Sequence, residues 1–498
     1  MSTRTAPPGT VTTTGPLPEA GTAAAPYDIT VIGAGVVGTA IARELARHRL
    51  RIAVVEAAGD VGEGTSKANT AILHTGFDAG PGTLEARLVR EGQRRLAAYA
   101  ADCGIPVEPV GALLVAWDEE QHAALPGLLA KAERNGYDRA HLIDADELRS
   151  REPRLGPGAL GALVVPDESI ICPWTTTLAY ATQAVRAGVD LHLNCRVEQV
   201  VRADDGEGAG EGDGAGDGEG GCHLLHTSRG HLRTRWLINA AGLHADTVDR
   251  MLGHDTFTVT PRRGQLLVFD KLARDLVRHI LLPVPTALGK GVLVAPTVYG
   301  NVLLGPTAED LRDKTATQST ADGLAALRSQ GRRILPGLLD EEVTTGYAGL
   351  RAATDEDDYR IRLRREQRYV TVGGIRSTGL TASMAIAAHV TGLLAEAGLH
   401  LSPPVDHAPL RMPNLGEAFP RPYQDADRIA ADPEYGRIVC HCERVTRGEI
   451  RDALHTLVPP TTLEGLRRRT RARAGRCQGF YCGPAVRELF EQQRESST

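Results

Sequence analysis

The stretch YDITVIGAGVVGTAIARELARHRLRIAVVE (27–56) constrains this chain more than any other. An apolar strand runs into Gly33-x-Gly35-x-x-Gly38, a helix-forming segment follows, and a second apolar run ends on Glu56. Gly33 permits the tight turn, Gly35 lets the backbone approach a pyrophosphate, and Gly38 lets the helix pack closely on the sheet. The N–H groups and dipole at the helix start favour phosphates. Glu56, about 20 residues on, stands where it can accept a hydrogen bond from a ribose hydroxyl. Residues 27–56 therefore predict a dinucleotide-binding unit in a Rossmann-type α/β fold. The motif alone does not choose between FAD and NAD.

At 498 residues the chain is long enough for two or three domains. Its 42% hydrophobic and 24% charged residues suit a globular protein, and a net charge of −6 gives no whole-chain reason to expect nucleic acid. No apolar run reaches the roughly 20 residues of a bilayer span, and the first residues lack a secretory h-region. A cytoplasmic protein without an intrinsic membrane segment is expected, its eight cysteines thiols or metal ligands rather than disulfides.

Residues 1–26, biased to Ala, Thr, Pro and Gly, predict a disordered tail. Helix-like and strand-like segments alternate over 27–400, among them helices at Thr83–Ala101 and Ala382–Ala395 and strands at Ala112–Ala116 and Tyr369–Gly373. The acidic, glycine-rich run 204–221 lies between two strand-like runs and predicts an enlarged hairpin loop; the other reading is a partner-binding segment. Residues 401–436 predict a linker, and 437–498 a small separate unit.

The run GEGTSKANTAILHTGFDAGPGTLEARLVREG (62–92) resembles the FAD-contacting segment of the D-amino-acid-oxidase-like flavoproteins, nearest their glycerol-3-phosphate dehydrogenase/oxidase and L-2-hydroxyglutarate dehydrogenase branch. WLINAAGLHAD (236–246), AGLRAATDEDDYRI (348–361) and GGIRSTGLTASMAIA (373–387) agree with it in order. The resemblance implies a Rossmann-type FAD domain with an inserted mixed β-sheet substrate domain, PRRGQLLVF (261–269) and GNVLLGPTAED (300–310) belonging to the sheet that roofs the flavin. It implies FAD contacts from Gly33, Gly35, Gly38, Glu56, Thr65, Ser66, Asn69, Ala241, Gly242, Gly374, Gly379, Leu380 and Thr381. It places His74 beside the flavin, as general base or as a positioning residue, and makes Arg351 the group for a substrate anion. The bland alternative for Arg351 is pairing with the acids at 355–358. Arg376 is a second anion candidate, and Arg263 could point into the site or be an ordinary loop arginine.

Cys440-x-Cys442 and Cys477-x₄-Cys482 can hold a metal centre, zinc or [2Fe–2S], and the single-residue spacer argues mildly against zinc. The pattern resembles the bacterioferritin-associated-ferredoxin-like [2Fe–2S] domain, a small helical unit, which implies an iron–sulfur cluster. The arginines of LRRRTRARAGRC (466–477) could balance the cluster's charge, dock an acidic electron carrier, or form a solvated helix face. Cys103, Cys172, Cys195 and Cys222 show no pairing.

A flavin beside a one-electron cluster implies a dehydrogenase that passes electrons to a protein or quinone pathway. Within the resemblance the expected substrate is a small anion, first sn-glycerol 3-phosphate, with L-2-hydroxyglutarate or an amine or imino acid as alternatives. A reading of another class is an electron-transfer subunit of a larger complex.

Overall fold

The computed structural model describes residues 7–17, 26–203, 221–285 and 291–496. Strand Tyr27–Ile32 lies in a parallel sheet between Ile52–Val55 and Gly230–Asn239, with Ile29 opposite Ile52 and Ile32 opposite Val55. Asp190–His192 follows beyond Ile52–Val55. Strand Gly230–Asn239 forks: its first half pairs antiparallel with Cys222–Thr227, and its end pairs parallel with Tyr369–Gly373. Helices Val36–Leu45, Pro173–Arg186 and Gly379–Glu396 pack on this sheet through Ile41, Leu45, Tyr180 and Ile386, all fully buried. Near-continuous apolar runs such as Ile52–Val55 are what a parallel strand covered on both faces requires.

The tail is corrected in part. Val11–Thr12 extends the same sheet, pairing parallel with Leu191–His192, and the Thr12 hydroxyl lies 2.8 Å from His192 Nδ1. The sheet edge supplies backbone partners that composition could not reveal. The acidic run lies outside the described residues up to 220, and the strands flanking it, Val197–Ala203 and Cys222–Thr227, pair antiparallel.

A second, mixed sheet is built around the ladder of Thr260–Phe269 on Val343–Ala353 and continues through Val302–Gly305, Leu293–Pro296, Ile280–Pro283, Ala112–Ala116, Gly161–Val165 and His141–Asp144. A small third sheet joins Ile72–Leu73, Ser169–Ile171 and Val107–Glu108. Helix Leu84–Cys103 starts on a Thr83 cap, where the sequence placed a helix, and strands Ala112–Ala116 and Tyr369–Gly373 occupy their predicted residues.

Residues 401–421 run over the body without regular structure but bonded to it: Val405 N–H donates to Arg47 O, Met412 N–H to Cys103 O and Glu417 N–H to Val298 O. They act as a packed strap. Beyond it, strands Ile438–Cys440 and Val445–Thr446 and helices Arg447–Leu454, Leu463–Thr470 and Gly483–Ser496 form the small unit, with Val445, Ile450, Leu466 and Val486 as its core.

Candidate active site

The glycine turn has the tolerances its motif demands. Gly33 has φ +103°, and a Cβ there would lie 2.5 Å from Ala240 O; one on Gly38 would lie 1.9 Å from Gly33 O. Only glycine lets the helix sit this close to the turn. Glu56 braces the same turn, its two oxygens accepting from Ala34 N–H (2.7 Å) and Ala58 N–H (2.8 Å). Burial pushes its carboxyl up, and the two backbone N–H groups oppose that shift. The first N–H of the helix, on Val36, donates to Ser66 Oγ at 3.0 Å, so the 62–69 loop lies across the helix start. The Asn69 amide is used within that loop, donating to Ser66 O and accepting from Ala71 N–H, where φ is +58°. Thr65 Oγ1 donates to Leu350 O (2.8 Å), which fastens the loop to the second sheet. Beside Gly64 and Gly242 nothing stands within 4 Å of where a Cβ would be.

His74 follows strand Ile72–Leu73. Because Leu73 pairs with Ser169, the next rung sets His74 against Glu168. His74 Nδ1 lies 3.1 Å from Glu168 Oε2, and Glu168 Oε1 accepts from Thr75 N–H (2.7 Å) and Thr75 Oγ1 (3.0 Å). Glu168 is fully buried, whereas the imidazole keeps 22% of its surface. A buried carboxylate accepting this many bonds is satisfied where it stands and fixes the ring. Fully buried Thr381 holds the backbone behind the ring, accepting from His74 N–H at 3.0 Å and donating to Ile72 O. Its hydroxyl is thereby taken up by the protein. Helix Gly379–Glu396 begins at this point, and Leu380 is buried in its first turn.

On strand Val343–Ala353 the alternating residues Tyr347, Gly349 and Arg351 share one face. That face covers the 65–69 loop: Tyr347 OH donates to Asn69 O at 2.9 Å, and a Cβ on Gly349 would lie 2.6 Å from Ala68 O. Arg351 donates to Thr307 O (2.7 Å), and among the described residues no ion pair engages it. Burial pulls its pKa down, Arg262 adds to that, and Asp310 offsets part of it. The acids at 355–358 are not its partners.

Arg376 pairs with Glu85 and Asp357 at 2.8 Å each, tying helix Leu84–Cys103 to the 354–358 loop, so its charge is matched within the protein. Arg263 is likewise held, by Glu309 and Gln318 O. Gly374, with φ +65°, makes the turn that precedes this passage. Ala241 N–H bonds the Asn239 side chain, and Gly242 has φ +56°.

In the small unit the four cysteine thiols meet in pairs, Cys442 with Cys477 and Cys440 with Cys482. Backbone N–H groups of Tyr481, Gly479 and Phe480 pull the Cys477 thiol pKa down. Among the described residues no group of three or more Cys, His, Asp or Glu is spaced for a single metal ion. Four thiols with backbone amide donors are a donor set that fits a two-iron cluster, in which each iron takes two thiolates.

A family model described as FAD dependent oxidoreductase matches residues 28–393, and one described as BFD-like [2Fe-2S] binding domain matches 438–492. The chain belongs to the FAD-dependent oxidoreductases of the glycerol-3-phosphate dehydrogenase type. The glycerol 3-phosphate dehydrogenase of Caloramator mitchellensis is 34% identical over 94% of each chain. The glycerol 3-phosphate oxidase of Mycoplasma genitalium is 28% identical over 74% of this chain and 94% of its own. Among solved structures, dithionite-reduced L-alpha-glycerophosphate oxidase from Mycoplasma pneumoniae with FAD bound superposes with TM-score 0.70 at 28% identity, covering 78% of this chain and 98% of that one. Glycine oxidase from Geobacillus kaustophilus, 20% identical at TM-score 0.66, shares the fold.

The cofactors of this oxidoreductase are FAD and a [2Fe–2S] cluster. The close turn at Gly33, the loop across the helix start and the open space at Gly64 and Gly242 suit a dinucleotide. The arginine run has a role that none of its sequence readings named: it docks the cluster domain on its own flavoprotein body. Arg469 is buried and bidentate to Asp60 (2.6 and 2.8 Å), Arg468 bonds Asp60 and Glu63, and Arg476 bonds Asp270 at 2.7 Å. Glu168 and Thr75 were missed in the sequence. The one signal for Glu168 is an acid set in the apolar run GALVVPDESII. No helix among the described residues is long and apolar enough to cross a membrane.

Proposed function

We propose that this oxidoreductase oxidises sn-glycerol 3-phosphate to dihydroxyacetone phosphate and passes the electrons through its [2Fe–2S] cluster to a protein or quinone acceptor. The observation that carries the reading is Arg351: a half-buried guanidinium, with no ion pair among the described residues, on the strand face that covers the 65–69 loop. A partly desolvated cation without a counter-charge gains from an anion that meets it, and a planar fork suits a phosphate. The names of the relatives favour phosphate over carboxylate.

In this scheme Arg351 binds the phosphate and orients the alcohol. Glu168 accepts the Nδ1–H of His74, so the lone pair lies on Nε2, the atom that takes the hydroxyl proton. As the imidazole becomes charged, the Glu168 carboxylate stabilises it. FAD, held at this site, would supply the two-electron acceptor for the hydride of the carbinol carbon. The start of helix Gly379–Glu396 favours negative charge at that end of the site. Gly33, Gly35, Gly38, Glu56, Thr65, Ser66, Ala241, Gly242, Gly374 and Gly379 would line the cofactor, Asn69 and Thr381 acting through the loop and through His74. Cys440, Cys442, Cys477 and Cys482 would hold the cluster.

The test is an anaerobic absorbance titration of the iron-replete protein with glycerol 3-phosphate and, separately, L-2-hydroxyglutarate. Rapid flavin bleaching by the phosphate alone is expected. Bleaching by the 2-hydroxy acid alone would transfer the assignment to that substrate. Arg351→Gln should raise KM for glycerol 3-phosphate about 10- to 100-fold, the worth of a charge-assisted bond of about 1.5–3 kcal/mol. An unchanged KM would remove Arg351 as the anion site.

A further inference from the structure

We infer that the stacked pair Tyr299–Trp174, gripped by Arg471, is the bridge along which electrons pass from the flavin site to the cluster; this rests on the proposed electron path. Arg471 is buried at the junction of the two domains, bonding Glu443 of the small unit and Asn301 of the body. Its Nε donates to Glu443 Oε2 at 2.9 Å, and Glu443 is the residue after the cluster ligand Cys442. Its second nitrogen donates to Asn301 Oδ1 at 3.0 Å, and its guanidinium carbon lies 4.3 Å from the centre of the Tyr299 ring. Tyr299 stacks on Trp174 with centroids 5.1 Å apart and planes 20° from parallel. The Trp174 indole N–H donates to Lys67 O at 3.1 Å, in the turn Thr65–Lys67 that also carries Ser66 against the helix start.

Bonded and stacked atoms thus run without interruption from a cluster-ligand loop to the loop assigned to the flavin. Electron tunnelling decays with distance, and decays faster across gaps than through close-packed matter, so a rigid aromatic pair at the junction is suited to carry it. The rings are not themselves oxidised. In each passage the reduced flavin gives up one electron and one Fe(III) of the cluster becomes Fe(II). Two passages return FADH⁻ to FAD with release of one proton. The external one-electron acceptor reoxidises the cluster between them.

The experiment uses the holoenzyme under anaerobic conditions. The bound flavin is reduced by a light flash with EDTA as donor, so no substrate is needed, and cluster bleaching is then followed. In Trp174→Leu and Tyr299→Leu, flavin photoreduction should be unchanged and cluster bleaching several-fold slower. Trp174→Phe and Tyr299→Phe, which keep the stack, should transfer near the parent rate. Hydrogen exchange over 461–476 and the visible circular dichroism of the cluster should match the parent in every variant. Parent-rate transfer in both leucine variants overturns the bridge. Slowing accompanied by lost protection at 461–476 overturns it too, because the pair would then only dock the domains. If the parent cluster does not bleach after the flash yet bleaches with dithionite, the proposed electron path itself fails.

Discussion

His74, Glu168 and Arg351 lie on three separate stretches of chain, and their chemistry depends on the pairing of strands. Glu168 is 94 residues from His74 and meets it only because Leu73 and Ser169 are partners in a short antiparallel ladder. Its effect is measurable apart from binding. Replacing His74 with Ala should slow substrate-driven flavin reduction ~10²-fold or more with FAD retained. Glu168→Gln should slow the same step about tenfold or more, since a tautomer-fixing carboxylate acts through the ring it holds. Stopped-flow flavin bleaching at saturating substrate checks both, and a parent rate in the glutamine variant would make Glu168 purely structural. The sequence reading gives Arg351 as the anion group and Arg376 as a second candidate. In the fold Arg376 is matched by Glu85 and Asp357, whereas among the described residues Arg351 has no ion pair and donates to Thr307 O.

At the scale of elements, the glycine turn and the docking helix act through close approach. In Gly38→Ala a methyl group would stand 1.9 Å from Gly33 O, so the helix must move away from the turn at a cost of about 1–3 kcal/mol. Flavin absorbance per protein should fall after gel filtration, and full retention would contradict this account. Helix Leu463–Thr470 is held to the body by Arg469 on Asp60, both buried. Asp60→Asn leaves that guanidinium without its counter-charge, a loss of about 3–5 kcal/mol for a buried pair. Hydrogen exchange across 461–476 should rise, with exchange in the main sheet unchanged. Burial works against ionised Asp60, but the Arg469 hydrogen bonds and charge, with Arg468, outweigh it and hold its pKa below the ordinary value. The stabilisation is therefore complete above the usual aspartate pKa of about 3.9 and is lost as pH falls through the lower folded value. Docking should survive at pH 5 and fail only in stronger acid.

For the molecule as a whole, two peripheral segments are anchored by histidines that must stay neutral. His192 bonds Thr12 of the edge strand, and His407 of the strap lies 2.8 Å from Arg43 O. Burial pushes both pKa values down to about 4. An unfolded histidine titrates near 6.5, so between these limits the unfolded chain binds more protons and stability rises with pH. Their contribution is complete above about pH 6.5 and is lost on acidification toward 4. The Tm should drop between pH 7 and pH 5, with a smaller drop in His192→Gln; equal slopes would acquit His192.

Much of this molecule is written in local patterns. The strand, turn and helix of 27–45 come from apolar runs punctuated by glycine, and the helix at Leu84–Cys103 from its Thr83 cap. The dinucleotide turn and the paired cysteines were likewise legible, because backbone approach and metal ligation demand particular residues at short, fixed spacing, while the family, the flavin and the iron–sulfur cluster were implied by the resemblance of longer segments. What local pattern could not carry was pairing at a distance. Solvent, an acid or a ligand can each satisfy an arginine, and the sequence does not say which. Tertiary structure decided that Arg376 is neutralised, that Arg469 docks the cluster domain, and that Glu168 stands behind His74. Hydrogen bonds and ion pairs between residues far apart in the chain depend on sheet register and packing, and these exist only once the whole core has formed.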